Sequence, residues 1–446
     1  MKLGPTSRYF LATTAMLCMS AVPALAVPTN YVLVGTTLLT PTAVNNQGGK
    51  FTGFDISFTD PITGFYYVAD RSNNAVDVLN GSSHALIGQV GVGLFGGQQA
   101  STAVSGPDGV VVVNSGGVAT LYAGNGSPVV AQSSTLLTFN VNNPAAAVQQ
   151  GSVNTGGTFR VDEMAFDPVD KLLIVANNAD APAFATLIHA TPPTPTTAVA
   201  HITIPGQVSD GGMEQSVWDP NTHTFFVSIP SFNGSDPGGV AQIGTNGAVI
   251  NTYNFATLSG GSITSCSSSG LALGGSGKLM VGCGNAGSQT VILDPTANGG
   301  NGAIVDLLFA VSGSDELWYD PVSGRFYATG VNAAGDRVID IFADGTFALL
   351  QSIDLTALGA DHVNAHSVAV NPLNGDLFVP LPGTTATATD TLCPNGCIAV
   401  FSERVPEPSS LTLLAFGVLG VLTTTWFRAR AASRLRPGPR GQTQSA

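Results

Sequence analysis

Apolar residues along this chain come in short runs, and each run is closed by glycine, proline, asparagine or aspartate. No heptad and no sustained helical period appears, so the pattern predicts strands and hairpins rather than helices. One hairpin recurs: "FTDPITGFYYVAD" (58–70), "FDPVDKLLIVANN" (166–178), "WDPNTHTFFVSIP" (218–230), "YDPVSGRFYATGV" (319–331) and "VNPLNGDLFVPLP" (370–382). Weaker copies are "VSGPDGVVVVNSG" (104–116) and "ALGGSGKLMVGCG" (272–284). Aligned on the Asp/Asn-Pro position, the copies fall at 60, 106, 167, 219, 274, 320 and 371, about 52 residues apart. That is a propeller-blade period. Asp60, Asp320 and Asn371 suit a turn because their side chains can accept from amides two residues on, and the next proline sets φ. Gly64, Gly324 and Gly375 supply the left-handed residue that closes the loop.

A third strand follows each hairpin, as in "AVDVLNG" (75–81), "TVILDP" (290–295) and "VIDIFADG" (338–345). A fourth comes after it, as in "HALIGQVGV" (84–92), "AHITIPG" (200–206), "AIVDLLFAV" (303–311) and "FALLQSIDL" (347–355). The fold expected is all-β, a seven-bladed propeller of four-stranded blades, with six or eight blades as alternatives because two copies are degenerate. The last blade has "AHSVAVN" (365–371), "DLFVPL" (376–381) and "IAVFSE" (398–403) but no fourth strand. The unpaired "YVLVGTTLL" (31–39) is expected to complete it and remove two open sheet edges. These turns, with "AHSVAVNPLNGDLFVPLPG" (365–383), resemble the YVTN-type β-propellers, related in fold to NHL and SMP-30/gluconolactonase-like proteins. The resemblance spans roughly residues 31–403 and speaks for the fold, not for an activity.

Charge adds a second division. All 28 acidic residues lie between Asp55 and Glu407, whereas of 15 basic ones Lys2 and Arg8 lead the chain and five arginines, from Arg428 to Arg440, close it. Eight basic residues remain in the body. So acidic a body argues against nucleic acid and permits cations, or neutral and sugar-like surfaces. Lys2, Arg8, the apolar "YFLATTAMLCMSAVPA" and the "ALA" ending at Ala26 read as an export signal over residues 1–26. Cys18 follows Met16 and Leu17, too bulky for a lipobox. Four cysteines remain after cleavage, an even number that favours two disulfides in an exported protein. Cys266 with Cys283 and Cys393 with Cys397 is the expected pairing, the two other pairings staying open. A zinc site at Cys393 and Cys397 lacks a second Cys/His pair of matching spacing.

The chain closes on residues 404–446, set off from the propeller domain at 27–403. "VPEPSS", the apolar Leu411–Phe427 and "RARAASRLR" together resemble the PEP-CTERM sorting signal of Gram-negative bacteria. The resemblance implies that Pro406, Glu407 and Pro408 are read by an exosortase, a membrane protease-transpeptidase. A helix over Leu411–Phe427 would span about 25 Å, enough for a thin crossing, with the arginines holding its end in the cytoplasm. A permanent anchor is the alternative. The expected route is export, an inner-membrane-tethered intermediate, and release to the cell surface or exopolysaccharide matrix.

In a propeller the innermost strands start around one channel mouth. Counting five residues back from each aligned turn gives Asp55, Ser101, Asp162, Glu214, Ser269, Asp315 and His366, with Glu163, Gln215 and Glu316 beside them. Carboxylates and an imidazole in one register suit Ca²⁺ or Mg²⁺ and make Asp55, Asp162, Glu214, Asp315 and His366 candidate metal ligands. A solvated rim is the plainer alternative. No nucleophile elbow is present, so no catalytic residue is assigned. "HVNAH" (362–366) has zinc-like spacing, but in an extended strand its histidines stand about 13 Å apart. The "GGNG" at 299–302 sits in a turn, not between strand and helix. The function expected is a monomeric, non-enzymatic binding or scaffold propeller whose partners are exopolysaccharide or surface proteins. The alternative is a metal-dependent, lactonase-like hydrolase of the SMP-30 type.

Overall fold

A computed structural model describes residues 29–129, 132–190, 198–205, 212–232, 234, 237–285, 289–360, 365–384 and 390–404. The leader with Ala26, the Pro406–Glu407–Pro408 triplet, the apolar Leu411–Phe427 and most of the 362–366 motif lie outside these residues. No helix among the described residues is long and apolar enough to cross a membrane. The strands form seven antiparallel four-stranded sheets. In chain order after β1 (Tyr31–Thr37) these are β2–β5 (54–90), β6–β9 (110–154), β10–β13 (164–202), β14–β17 (216–254), β18–β21 (268–308) and β22–β25 (317–354). The seventh pairs β26–β28 (369–403) with β1. The expected seven-bladed propeller is what the chain builds.

The recurrent turn works as its residues dictate. The first carboxylate or amide oxygen accepts from the amide two residues on at Asp60 (3.1 Å), Asp167 (2.7 Å), Asp219 (2.9 Å), Asp320 (3.1 Å) and Asn371 (3.0 Å). Gly64 closes the loop at φ +71°, a value open to glycine. Lys171 and His223 hold the equivalent place at φ +58° and +55°, at roughly 1 kcal/mol more strain each. The second strand of a blade is flanked by strands on both sides and by neighbouring blades on both faces. Accordingly every residue of Tyr66–Asp70, Leu172–Asn177, Thr224–Ile229, Leu279–Cys283 and Leu377–Leu381 is buried. The core is therefore a set of clusters between blades. One of them packs Tyr327, Ile339 and Ile341 of blade six against Val370, Leu377 and Phe401 of blade seven.

One copy of the repeat reads differently from its sequence. Val110–Ser115, expected as a second strand after a turn at 106, is the innermost strand β6 of blade two. The turn that follows it is Gly116-Gly117, at φ +59° and +79°, a pair suited to a two-residue hairpin. A run of four valines carries no periodicity to tell an inner strand from a middle one. This shift moves Ser101 out of register, onto an exposed residue before a short 3₁₀ turn.

The seventh blade closes as the missing strand requires. β1 pairs antiparallel with β28 (Cys397–Glu403), from Tyr31 opposite Glu403 to Thr37 opposite Ile398. Gln351 of blade six locks this strand, accepting from Tyr31 N (2.7 Å) and donating to Tyr31 O (2.8 Å). The Tyr31 hydroxyl meets that of Tyr327 at 3.0 Å in the buried seam. Arg325 of blade six grips Glu403 through two nitrogens, at 2.7 and 3.2 Å. Disulfides join Cys266 to Cys283 and Cys393 to Cys397, the expected pairing.

Removing the closing strand should break the whole ring, because blade seven loses its outer ladder together with that strand's contacts to Gln351 and Tyr327 of blade six and to His84 O of blade one. A chain lacking residues 31–37 should lose the single cooperative melting transition seen by circular dichroism. An unchanged transition would refute closure by this strand.

Candidate functional site at the channel mouth

The two faces of the disc differ. Hairpin turns and the third-to-fourth-strand turns lie on one face. The other carries longer connections, such as 91–109 and 155–163, and the starts of the innermost strands. On this long-loop face the in-register acids converge, though not on an empty mouth. Two arginines sit among them.

Arg71 follows β3 (Tyr66–Asp70) and turns into the channel. Its Nη2 lies 2.6 Å from Asp55 Oδ2 and 2.5 Å from Asp108 Oδ1, and its Nε donates to Asp108 at 2.9 Å. Arg160, on the connection into blade three, lies 2.7 Å from Asp162 Oδ2 and 3.6 Å from Asp55 Oδ2, and donates to Asn178 Oδ1 at 3.1 Å. His366 stacks flat on Phe54, centroids 4.3 Å apart, with Nε2 at 3.8 Å from Asp55 Oδ1. Asp55 is thus the hub, shared by Arg71, Arg160 and His366. Blades one, two, three and seven meet there.

Burial sets the protonation of the group. It would raise Asp55, but the guanidinium groups of Arg71 and Arg160 hold that carboxyl below its ordinary range. Asp108 is pushed up to about 7 by burial despite Arg71. Glu214 rises to about 8 through burial and the nearby Asp315. Burial also lifts Asp162 well above, and Asp315 above, the usual carboxylate range. His366 is shifted down by burial, which favours its neutral form. The acids thus share protons around two fixed cations.

A second layer lies one residue further in. Glu316 accepts from Ser367 Oγ at 2.6 Å, and Ser367 meets Ser57 Oγ at 2.7 Å. Gln215 spans from blade four to blades five and six: Leu271 N (2.6 Å) and Leu317 N (2.9 Å) donate to its Oε1, and its Nε2 donates to Leu317 O (2.9 Å). Above the collar two polar cavities open. One of ≈ 460 Å³ is bounded by Arg160, Asn178, Asp180 and Glu214, and one of ≈ 400 Å³ by Ser267, Ser269, Asp315 and Arg337.

The expected register therefore brings Asp55, Asp162, Glu214, Asp315 and His366 into one electrostatic cluster, with Ser269 at its edge and Ser101 outside it. Among the described residues no group of three or more His, Cys, Asp or Glu side chains is placed to hold a metal ion. The positive charge beside Asp55 and Asp162 is guanidinium. Asp108 holds blade two's place in this register, its amide donating to Gly124 O as that of Asp162 does to Ala176 O and that of Glu214 to Ser228 O; the sequence alignment misses it because blade two is aligned there on the wrong strand. Arg71 and Arg160 sit on connections outside the repeated hairpin. The signal that could have found them was scarcity. Few basic residues occur in so acidic a body, and a buried carboxylate needs one.

Solved propeller structures share this fold. The Cps50 (Swd1) β-propeller domain of Myceliophteria thermophila superposes with a TM-score of 0.54 at 9% identity, covering 83% of this chain and 99% of its own. The RRP9 WD40 repeats give 0.55 at 9% identity, over 82% of this chain and 100% of theirs. The Dos1 propeller gives 0.51 at 13% identity, over 82% and 81%. The likeness is one of fold. No family model matches the chain, and no curated protein sequence matches it.

Two measurements check the electrostatics. Replacing Arg71 by leucine strands Asp55 and Asp108 without their shared partner and should cost about 3–5 kcal/mol, the usual penalty for a broken buried pair, read by urea denaturation. A carboxyl raised in the native state holds its proton more tightly there. Its stabilising contribution is full below the unfolded pKa and is lost as pH rises through the folded one. For Asp108 and Glu214 that window runs from about pH 4 to about pH 8. Asp55 acts oppositely, only at the acid end. The melting temperature should fall between about pH 4 and about pH 8, and Glu214→Gln should flatten the slope.

Proposed function

We propose that this protein is an exported, non-enzymatic binding or scaffold propeller, sorted to the cell surface or exopolysaccharide matrix through its PEP-CTERM-like tail, with the long-loop face as its binding surface. The observation that carries the binding reading is the pair of polar cavities above a collar whose charge Arg71 and Arg160 already balance. Serine, asparagine and carboxylic acid groups around an open polar hollow suit neutral, polyhydroxylated ligands such as polysaccharide, which exchange hydrogen bonds with water for hydrogen bonds with protein. The acidic body points the same way, since it repels polyanions.

The metal-dependent lactonase-like reading has weaker support, because Asp55 and Asp162, two of its five candidate ligands, are engaged by guanidinium groups. Stoichiometric divalent metal in the purified protein, together with lactone turnover, would replace the binding reading.

Sorting is tested by intact mass. In a host with an exosortase the mature protein should lack Leu411–Ala446, and Glu407→Ala should leave unprocessed protein in the inner membrane. Arginines still attached to the mature protein would refute sorting without touching the binding reading. Binding is tested by sedimentation with the host's exopolysaccharide, where Asn178→Ala combined with Asp180→Ala should reduce the bound fraction.

A further inference from the structure

Beyond Gln215 the channel widens again. A separate cavity of ≈ 500 Å³ opens between the hairpin turns, with Pro220, Asn221 and Pro321 at its mouth. Its walls are apolar and aromatic: Phe58, Met164, Trp218, Leu273, Trp318 and Tyr319. Phe58 and Trp318 meet edge to face across the channel at 5.8 Å, and Phe225 backs Trp218 at 4.8 Å. Such walls suit an apolar or aromatic body.

One charged residue lies at the inner end. Glu163 is 6% exposed and lines the cavity. Among the described residues its carboxyl has neither hydrogen-bond nor ion-pair partner. Its neighbours are satisfied, Glu316 by Ser367 and Gln215 by the backbone of Leu271 and Leu317. The indole N–H of Trp218 is likewise buried without a partner. Glu163 faces the carboxyls of Glu316, Asp162, Glu214 and Asp315, and its proton affinity is raised well above the ordinary range by burial and by these acids.

We propose that this cavity binds a small organic cation, an amine with an aromatic or alicyclic body, whose ammonium group pairs with Glu163. A cation among aromatic rings is attracted by their faces, and a buried carboxyl without a partner is costly until it gains one. An anion would find no cationic partner, since no lysine, arginine or histidine lines the cavity. A neutral apolar molecule would leave Glu163 as it is. Without a ligand, burial and the neighbouring acids favour the carboxylic acid form of Glu163. When the ammonium enters, the carboxyl gives its proton to solvent and becomes the carboxylate of the pair, so one proton is released per amine bound. The site is independent of the long-loop face and of sorting.

The test uses the purified full chain and two matched probes, 2-(1-naphthyl)ethylamine and the corresponding alcohol, by titration calorimetry in two buffers of different ionisation enthalpy. The amine should bind at least about tenfold more tightly than the alcohol, with proton release near one. Glu163→Gln should erase both the preference and the proton release. If that variant fails to fold, the proton release of the natural protein decides. Equal binding of amine and alcohol, absence of binding by either, or an amine preference without proton release would overturn the proposal.

Discussion

Everything in this molecule hangs on the ladder between β1 and β28. A propeller blade buries both faces of its sheet only while a neighbour stands on each side, so the clusters between blades exist as a closed ring or lose part of their cover. The candidate site has the same dependence. Asp55 and Phe54 belong to blade one and His366 to the approach to blade seven, and their ring stack and ion contact cross the seam that the ladder closes. Ser57 and Ser367 bridge it one layer deeper.

The collar is a balance of desolvation and charge. Five carboxyls drawn to one axis by repeat symmetry would repel one another as anions. The chain answers with two arginines from irregular connections and by letting burial keep some acids protonated. The repeat supplies the acids and its interruptions supply the cations. That division separates the neutralised polar face above from the layer of Gln215 and Glu316 below, and lets the two ends of one channel differ in chemistry.

The fold was legible because its turn is a physical device repeated with little change. Asp or Asn before proline, then a left-handed residue, marks five blades directly, and even Lys171 and His223 in the glycine position do not hide it. Blade two was misread where four valines replace alternation and a Gly-Gly turn replaces the motif. The collar acids were legible by register alone. Asp108 was not, because the alignment of blade two fell on the wrong strand, and neither were Arg71 and Arg160, since a repeat alignment is blind to residues that occur once. The apolar cavity was also hidden, because Trp218, Trp318 and Phe58 read as core strand residues until the inner strands are seen side by side.

The direction of β28 has a mechanical consequence. It is antiparallel to β27 (Leu377–Leu381), which is antiparallel to β26 (Ala369–Val370), so it runs with the innermost strand and ends at the hairpin face. Arg404 continues from there, donating its amide to Asn30 O at 2.9 Å. A load applied to the long-loop face and resisted at Arg404 therefore pulls β28 along its own axis. The hydrogen bonds on either side, to β27 and β1, lie across that axis and are strained together in shear. A pull between Asn30 and Arg404 would instead peel the β1 ladder open one pair at a time. The same strand that completes the ring makes it strong against traction at Arg404 alone and weak against a pull that separates Asn30 from Arg404.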